Sequence, residues 1–245
     1  MMGVYHITYS PELKEVCLYF NGGCNFRCHG CISKYHPEDC HLDEAPRRSK
    51  NRSLSQSEVI SYLQPLSFKR VIFLGWEPTV DSVFLPLAKT LKEKFSTFHI
   101  LITNGWKYVD DEAIDEVCVS IKAITQSLFK DFTGRDNPAR VLRNFERYAN
   151  NPLVKLRAES VFIPGYIHEE EIGHIARFIA SINTVIPYRI DAYIPINAYF
   201  DGKDRFRRPT QEEMEKVREV ATKHLKNVSI LTSNMKVKWR VERVY

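Results

Sequence analysis

Three cysteines fall close together as Cys24-x-x-x-Cys28-x-x-Cys31. Three thiolates on one tight loop are enough to hold three irons of an iron–sulfur cubane and leave the fourth iron open to a substrate or cofactor, which a saturated four-thiolate centre does not offer. The competing reading is a structural zinc site. It needs four closed ligands, usually from paired knuckles, and only one knuckle is present, so Cys40, His29 or His41 would have to complete it. Of the six cysteines, Cys17 and Cys118 lie in strand-like sequence and read as buried packing residues. Cys40 lies in a polar loop and stays open between an exposed thiol, a hydrogen-atom donor and an additional metal ligand.

The cluster needs elements to position it, and the sequence provides an alternating set. Val16–Phe20 reads as a strand that runs into Asn21-Gly22-Gly23, a turn delivering the cysteines. A polar stretch from Ile32 to Leu54 follows, long enough to be a functional loop over the site. Ser55-Gln56-Ser57-Glu58 is a capping box that opens a helix carrying Val59, Ile60 and Leu63. Arg70–Leu74 reads as the next strand, ending in Gly75-Trp76-Glu77-Pro78, and Phe84, Leu87, Ala88, Leu91 and Phe95 mark a second helix.

The pattern then repeats. His99–Ile102 is a strand ending in Thr103-Asn104-Gly105, Asp110–Val117 is expected to be helical, and Cys118–Ile121 is a fourth strand leading to Lys122. Asn137-Pro138 marks a helix start. Leu156–Ile163 is a strand stopping at Pro164-Gly165, Ile172 to Ile179 a helix, and Tyr188–Ile196 a sixth strand stopping at Asn197. Thr210-Gln211-Glu212-Glu213 is a second capping box. Strand and helix alternating about six times argue an α/β fold with a parallel sheet and helical crossovers. Ligands of such sheets sit at the C-terminal ends of the strands, where every motif above falls.

Gly23-Cys24-Asn25-Phe26-Arg27-Cys28-His29-Gly30-Cys31 resembles the signature of the radical S-adenosylmethionine (SAM) superfamily, and Gly75-Trp76-Glu77-Pro78 resembles its SAM-binding motif. Within that superfamily the chain looks like the short enzymes related to the pyruvate formate-lyase activating enzyme. Thr103-Asn104-Gly105, Ile121-Lys122, Phe132-Thr133-Gly134 and Ile163-Pro164-Gly165 follow in that group's order, over about residues 16 to 232. The resemblance implies a partial (β/α)6 barrel and a [4Fe–4S] cluster on Cys24, Cys28 and Cys31. It also implies reductive cleavage of SAM to a 5′-deoxyadenosyl radical that abstracts hydrogen from a substrate.

Glu77, with the backbone of Gly75 and Trp76, would hold the methionyl amine, and Asn104, Lys122 and Asn197 are candidates for the ribose and carboxylate. The chain departs from the group's pattern at several points. Gly30 stands where an aromatic residue usually touches adenine, so another ring, Trp76 or Tyr35, would have to serve. Ile102 and Ser120 stand where aspartates are usual, Asn197 where a histidine is common, and Tyr9–Lys14 replaces a glycine-rich stretch. The substrate stays open between a protein glycine and a small molecule or nucleoside, with a zinc-stabilised binding protein as the reading of a different class.

Composition agrees with an ordinary globular chain: 245 residues, 44% hydrophobic and 27% charged. That excludes disordered and collagen-like architectures and suits one domain, a core of about 16–232 with a tail at 233–245. No apolar run approaches a membrane span and no signal peptide is visible, so a soluble, cytoplasmic protein is expected. The net charge of +5 is mild and its basic runs, such as Arg205-Phe206-Arg207-Arg208, read as solvated loops, so nucleic acid is not an expected partner. With no further cysteine cluster after Cys118, the electron must come from an external one-electron donor such as flavodoxin or ferredoxin.

Overall fold

The computed structural model describes residues 2–36, 38–42, 51–195, 206–232 and 239–245. Asn197 lies outside them, as do the rest of 196–205 and residues 43–50 of the loop after the cysteines. The chain opens with a hairpin: β1 (Val4–Ser10) pairs antiparallel with β2 (Glu15–Phe20). From β2 onward the strands run parallel. β3 (Arg70–Gly75), β4 (Phe98–Thr103), β5 (Glu116–Ser120), β6 (Lys155–Phe162), β7 (Tyr188–Ala192) and β8 (Val228–Leu231) are added in sequence order. A short β9 (Glu242–Arg243) returns to pair with β1, giving the order β8-β7-β6-β5-β4-β3-β2-β1-β9.

The expected partial barrel of parallel strands is present and is not closed. It carries one parallel strand more than the sixfold alternation, because Val228–Leu231 pairs with β7 after the last crossover. The short α1 (Ile32–Tyr35) follows the cysteine loop, and helices cover the outer face: α2 (Gln56–Leu63) before β3, and α3 (Phe84–Phe95) before β4. Next come α4 (Gln126–Thr133) and α5 (Pro138–Ala149) before β6, α6 (Glu169–Ile182) before β7 and α7 (Gln211–Thr222) before β8. β2 and β7 alternate in burial, whereas β1, β4 and β5 are buried almost throughout. In β2, Val16, Leu18 and Phe20 pack outward under the helices, leaving Cys17 and Tyr19 to the inner face.

Both capping boxes form. Ser55 and Thr210 accept from the amides of Glu58 and Glu213, whose carboxylates reach back to the cap amides. α5 begins at Pro138 as expected, but the Asn137 side chain makes no cap bond.

The expected helix over Asp110–Val117 is absent. Asp111 instead folds the chain into a turn, its side chain accepting from Ala113 N and its carbonyl from Ile114 N, and Asp115 binds His99 on β4 through His99 N. An aspartate that satisfies local amides competes with helix formation, so the chain passes directly into β5, two residues before the expected strand. The sixth expected strand also ends early, at Ala192 rather than Ile196.

Candidate active site

A cavity of about 870 Å³ opens at the C-terminal ends of the strands. Its wall includes Cys24, Cys28 and Cys31, the segment from Glu38 to Leu42, Gly75–Glu77, Asn104 and Lys122, with Glu159, Arg189 and Asp191 as its floor. The sequence-predicted site residues that fall within the described residues are thus brought together. The cysteine loop follows β2 directly, and the parallel register that sets Phe20 beside Gly75 puts the cysteines and the Gly75–Pro78 motif at the same rim.

Gly75 has φ +112°, and a Cβ there would meet Phe20 N and O at 2.6 and 2.7 Å, so only glycine lets the two strand ends approach this closely. Ser33 Oγ donates to Gly75 O at 2.8 Å and Trp76 N donates to Phe20 O at 3.2 Å. The backbone at Gly75 and Trp76 therefore ties the cysteine loop to β3, a use that sequence reasoning did not assign to it.

Glu77 is 1% exposed. Its Oε1 accepts from Thr79 N at 3.3 Å, Thr79 Oγ1 at 2.7 Å and Thr103 Oγ1 at 2.6 Å, while Oε2 accepts from Asn104 N at 2.7 Å. Burial raises its pKa against those hydrogen bonds. A carboxylate offers about four lone-pair sites, so Oε2 keeps room for one further donor. Asn104 is equally engaged: its Nδ2 donates to Asn25 Oδ1 at 2.6 Å and lies 3.5 Å from Cys24 Sγ, and its Oδ1 accepts from Trp106 N at 3.0 Å. Glu77 thus sets the β4 end, and the β4 end sets the cysteine loop.

The three thiols are a donor set that fits an iron–sulfur cluster. Cys24 Sγ accepts from Phe26 N at 3.3 Å, the kind of N–H to sulfur contact that stabilises a bound thiolate. Burial, with the neighbouring thiols adding to it, pushes Cys24 up to about 11 and Cys28 up to about 12, and Lys122 opposes the shift at both. Such thiols give up their protons when a metal takes the charge.

Among the described residues, the set of potential metal ligands whose donor atoms lie within 4.8 Å of one another is Asp39, Cys40 and His41. The loop thiols are spread wider than that. Sulfurs sharing one zinc at about 2.3 Å each lie no more than about 4.6 Å apart, so a single ion would require the loop to draw its thiols together. All six cysteines are free thiols.

Lys122 Nζ donates to Ser120 Oγ at 2.6 Å; burial opposes its charge, but Cys28 and Glu159 hold its pKa up. Beside it, Arg189 bridges two carboxylates, with Nε to Asp191 Oδ1 at 2.7 Å and Nη2 to Glu159 Oε2 at 2.8 Å. Burial raises Asp191 to about 6, whereas Arg189 and Lys122 keep Glu159 low despite its burial. Cys118, fully buried as expected of a packing residue, donates to Glu159 Oε2 at 3.4 Å from behind this floor. Sequence reasoning missed the floor. Its signal was available in charged residues, Glu159, Arg189 and Asp191, alternating within otherwise buried strands.

Tyr193 was also missed. A Cβ at Gly30 would lie 2.7 Å from Tyr193 Cε2, so this ring occupies the space that a side chain at position 30 would need. Trp76 lines the same cavity, and the Tyr35 side chain lies outside the described residues. Cys40 is exposed, with its sulfur 3.6 Å from His41 Nδ1, which also meets Asp39 Oδ1 at 3.0 Å.

Comparison with known proteins agrees with this geometry. The chain is 25% identical over 236 residues to a Methanocaldococcus jannaschii protein named provisionally as a glycyl-radical enzyme activating enzyme, covering 94% of this chain and 84% of that one. A second M. jannaschii protein named in the same way is 25% identical over 235 residues, covering 90% of each chain. Among solved structures, Streptococcus suis SuiB bound to its precursor peptide SuiA superposes with a TM-score of 0.66 at 14% identity, covering 92% of this chain. This chain spans 50% of the SuiB chain. Residues 18–179 match the radical SAM superfamily. The chain belongs to that superfamily and is an enzyme whose cofactors are a [4Fe–4S] cluster and SAM.

Proposed function

We propose that the protein cleaves SAM reductively at a cluster held by Cys24, Cys28 and Cys31, and that its substrate is a glycine of a partner enzyme. The observation that carries the first part is the loop of three half-buried thiols facing a large cavity beside Glu77 and Lys122. The bound cofactors supply a strongly oxidising carbon radical, 5′-deoxyadenosyl, and the chain's residues supply position and shelter. Glu77 has one lone pair left on Oε2 for the methionyl amine. Lys122, beside the thiols, suits the methionyl carboxylate. Tyr193, packed against Gly30, is the ring best placed for adenine.

The second part rests on the extended similarity to the two M. jannaschii proteins, which carries through nearly the whole of this chain. The buried, charged floor of Glu159, Arg189 and Asp191 favours a small polar substrate instead, and this is the second reading. Anaerobic reconstitution followed by reduction with dithionite in the presence of SAM tests both. A [4Fe–4S] spectrum with release of methionine and 5′-deoxyadenosine supports the enzyme; a colourless protein with stoichiometric zinc refutes it. Addition of a candidate glycyl-radical enzyme then yields a protein-centred radical signal. SAM cleavage without any such signal across candidate partners turns the assignment to a small molecule.

A further inference from the structure

Arginine pairing is uneven over this molecule. Away from the cysteine loop, every described arginine except Arg177 and Arg208 lies within ion-pair distance of a carboxylate. On the outer side of that loop the reverse holds: Arg27, Arg135, Arg140, Arg143 and Arg147 are exposed and, among the described residues, none is ion-paired. They form one surface. Arg27 N donates to Thr133 O at the end of α4, and Arg135 Nε donates to Asn25 O at 2.6 Å, one residue from Cys24. Arg140, Arg143 and Arg147 fall at i, i+3 and i+7 on one flank of α5.

Two rings lie under this flank. Arg135 and Arg140 stand 5.6 and 4.8 Å from the Trp106 ring, and Arg147 stands 3.6 Å over Tyr108. Trp106 meets Phe26 edge-on at 5.5 Å, and Phe26 N donates to Cys24 Sγ. Cation–π packing, worth about 0.5–1 kcal/mol at an exposed site, explains the placing of Arg140 and Arg147. It does not explain Arg27 and Arg143, which touch no ring, or the shortage of acids. Of the acids nearby, Asp136 is paired with Lys130, which leaves Asp131, hydrogen-bonded by the neutral Tyr166, and Glu146 on the exposed side of α5 against five arginines.

We propose that this face docks an acidic one-electron carrier protein which reduces the cluster. The inference rests on the cluster being held by Cys24, Cys28 and Cys31. The electron leaves the carrier's reduced flavin or iron–sulfur centre, which is oxidised by one electron, and the cluster gains it; no bond or proton is exchanged. Charge complementarity selects the occupant, since a surface of unpaired cations steers an acidic partner and holds its orientation. Position argues against nucleic acid, because the surface is bonded to the cluster loop itself and Arg27 is not among the residues that line the substrate cavity.

The test compares the wild-type protein with R140E/R143E/R147E, and with R143E alone in case replacing the ring-stacked arginines disturbs α5. Stopped-flow reduction of the reconstituted proteins by photoreduced flavodoxin is followed over a range of salt concentrations, alongside reduction by photoreduced 5-deazariboflavin, a small neutral donor. The expected result is a fall of at least ~10-fold in the flavodoxin rate constant for the triple variant at low salt, a smaller fall for R143E, and a flattened salt dependence. Iron content and the deazaflavin rate stay unchanged. Equal flavodoxin rates and equal salt dependence in all three proteins overturn the proposal. So does a surface that binds RNA tightly while flavodoxin fails to compete.

Flavodoxin affinity is also measured by fluorescence anisotropy on cluster-free protein. If no cluster assembles, the proposed function fails, and the affinity difference between wild type and variants still decides the docking surface.

Discussion

At position 30 the backbone sits at φ +72°, and the Tyr193 ring stands where any side chain would go. Gly30→Ala therefore meets two separate penalties, a left-handed backbone costing roughly 1–2 kcal/mol for a non-glycine residue and a collision with Tyr193. Tyr193→Ala removes the second and leaves the first. A double-mutant cycle in urea should show the pair less destabilised than the sum of its members; strict additivity would show that the ring and the loop do not press on each other. Cys28 gives a different result. Cys28→Ala should lose cluster assembly and SAM cleavage while circular dichroism stays that of the wild type, since Cys28 is half-buried and only packs at the edge of the core. Cleavage at the wild-type rate would refute the ligand assignment.

Among the elements, β4 carries the clearest pH dependence. His99 is fully buried; its Nδ1 donates to Ala113 O at 2.8 Å and its Nε2 accepts from Thr97 Oγ1 at 3.0 Å, and burial lowers its pKa to about 4. The unfolded chain takes up a proton near pH 6.5 and the folded one near 4. Stability is thus complete above about 6.5 and is lost as the pH falls toward 4, by on the order of 3 kcal/mol. His99→Gln should flatten that part of the stability curve in urea titrations at pH 7 and pH 4.5; an unchanged slope would remove His99 from the account.

The same region shows what the sequence could and could not reveal. The cysteine loop, the Gly75–Pro78 turn and both capping boxes were legible because each is a local pattern with a local cause. The turn at Asp111 was not, since its acids mimic a helix's first turn while binding backbone across to β4. β1 was missed as well: only its partners, β2 on one side and β9 on the other, make Val4–Ser10 a strand. The charged floor and the arginine surface were legible only in pieces, as charges alternating within β6 and β7 and as arginines spaced along α5, because the sheet has to bring those pieces together.

Over the whole molecule, the last strand ties the cavity wall to the far edge of the sheet. Arg243 binds Glu38 through two hydrogen bonds of 2.8 Å, with the pair 12% and 3% exposed. His6, its pKa lowered by burial, bridges Tyr245 O at 2.6 Å to the amide of Asp39 at 3.2 Å. Arg243→Ala removes both of these hydrogen bonds from the buried Glu38 carboxylate, at a cost of about 3 kcal/mol. It should also make the 38–42 segment sensitive to limited proteolysis; protection equal to wild type would show that other contacts hold the segment.

The sheet's two ends, β8 and β9, do not meet. A closed ring of strands would admit only what can enter through its mouth, a small molecule or the free end of a chain. A sheet left unpaired between these two strands, among the described residues, sets no such topological condition: what enters the cavity need not be threaded by one of its ends.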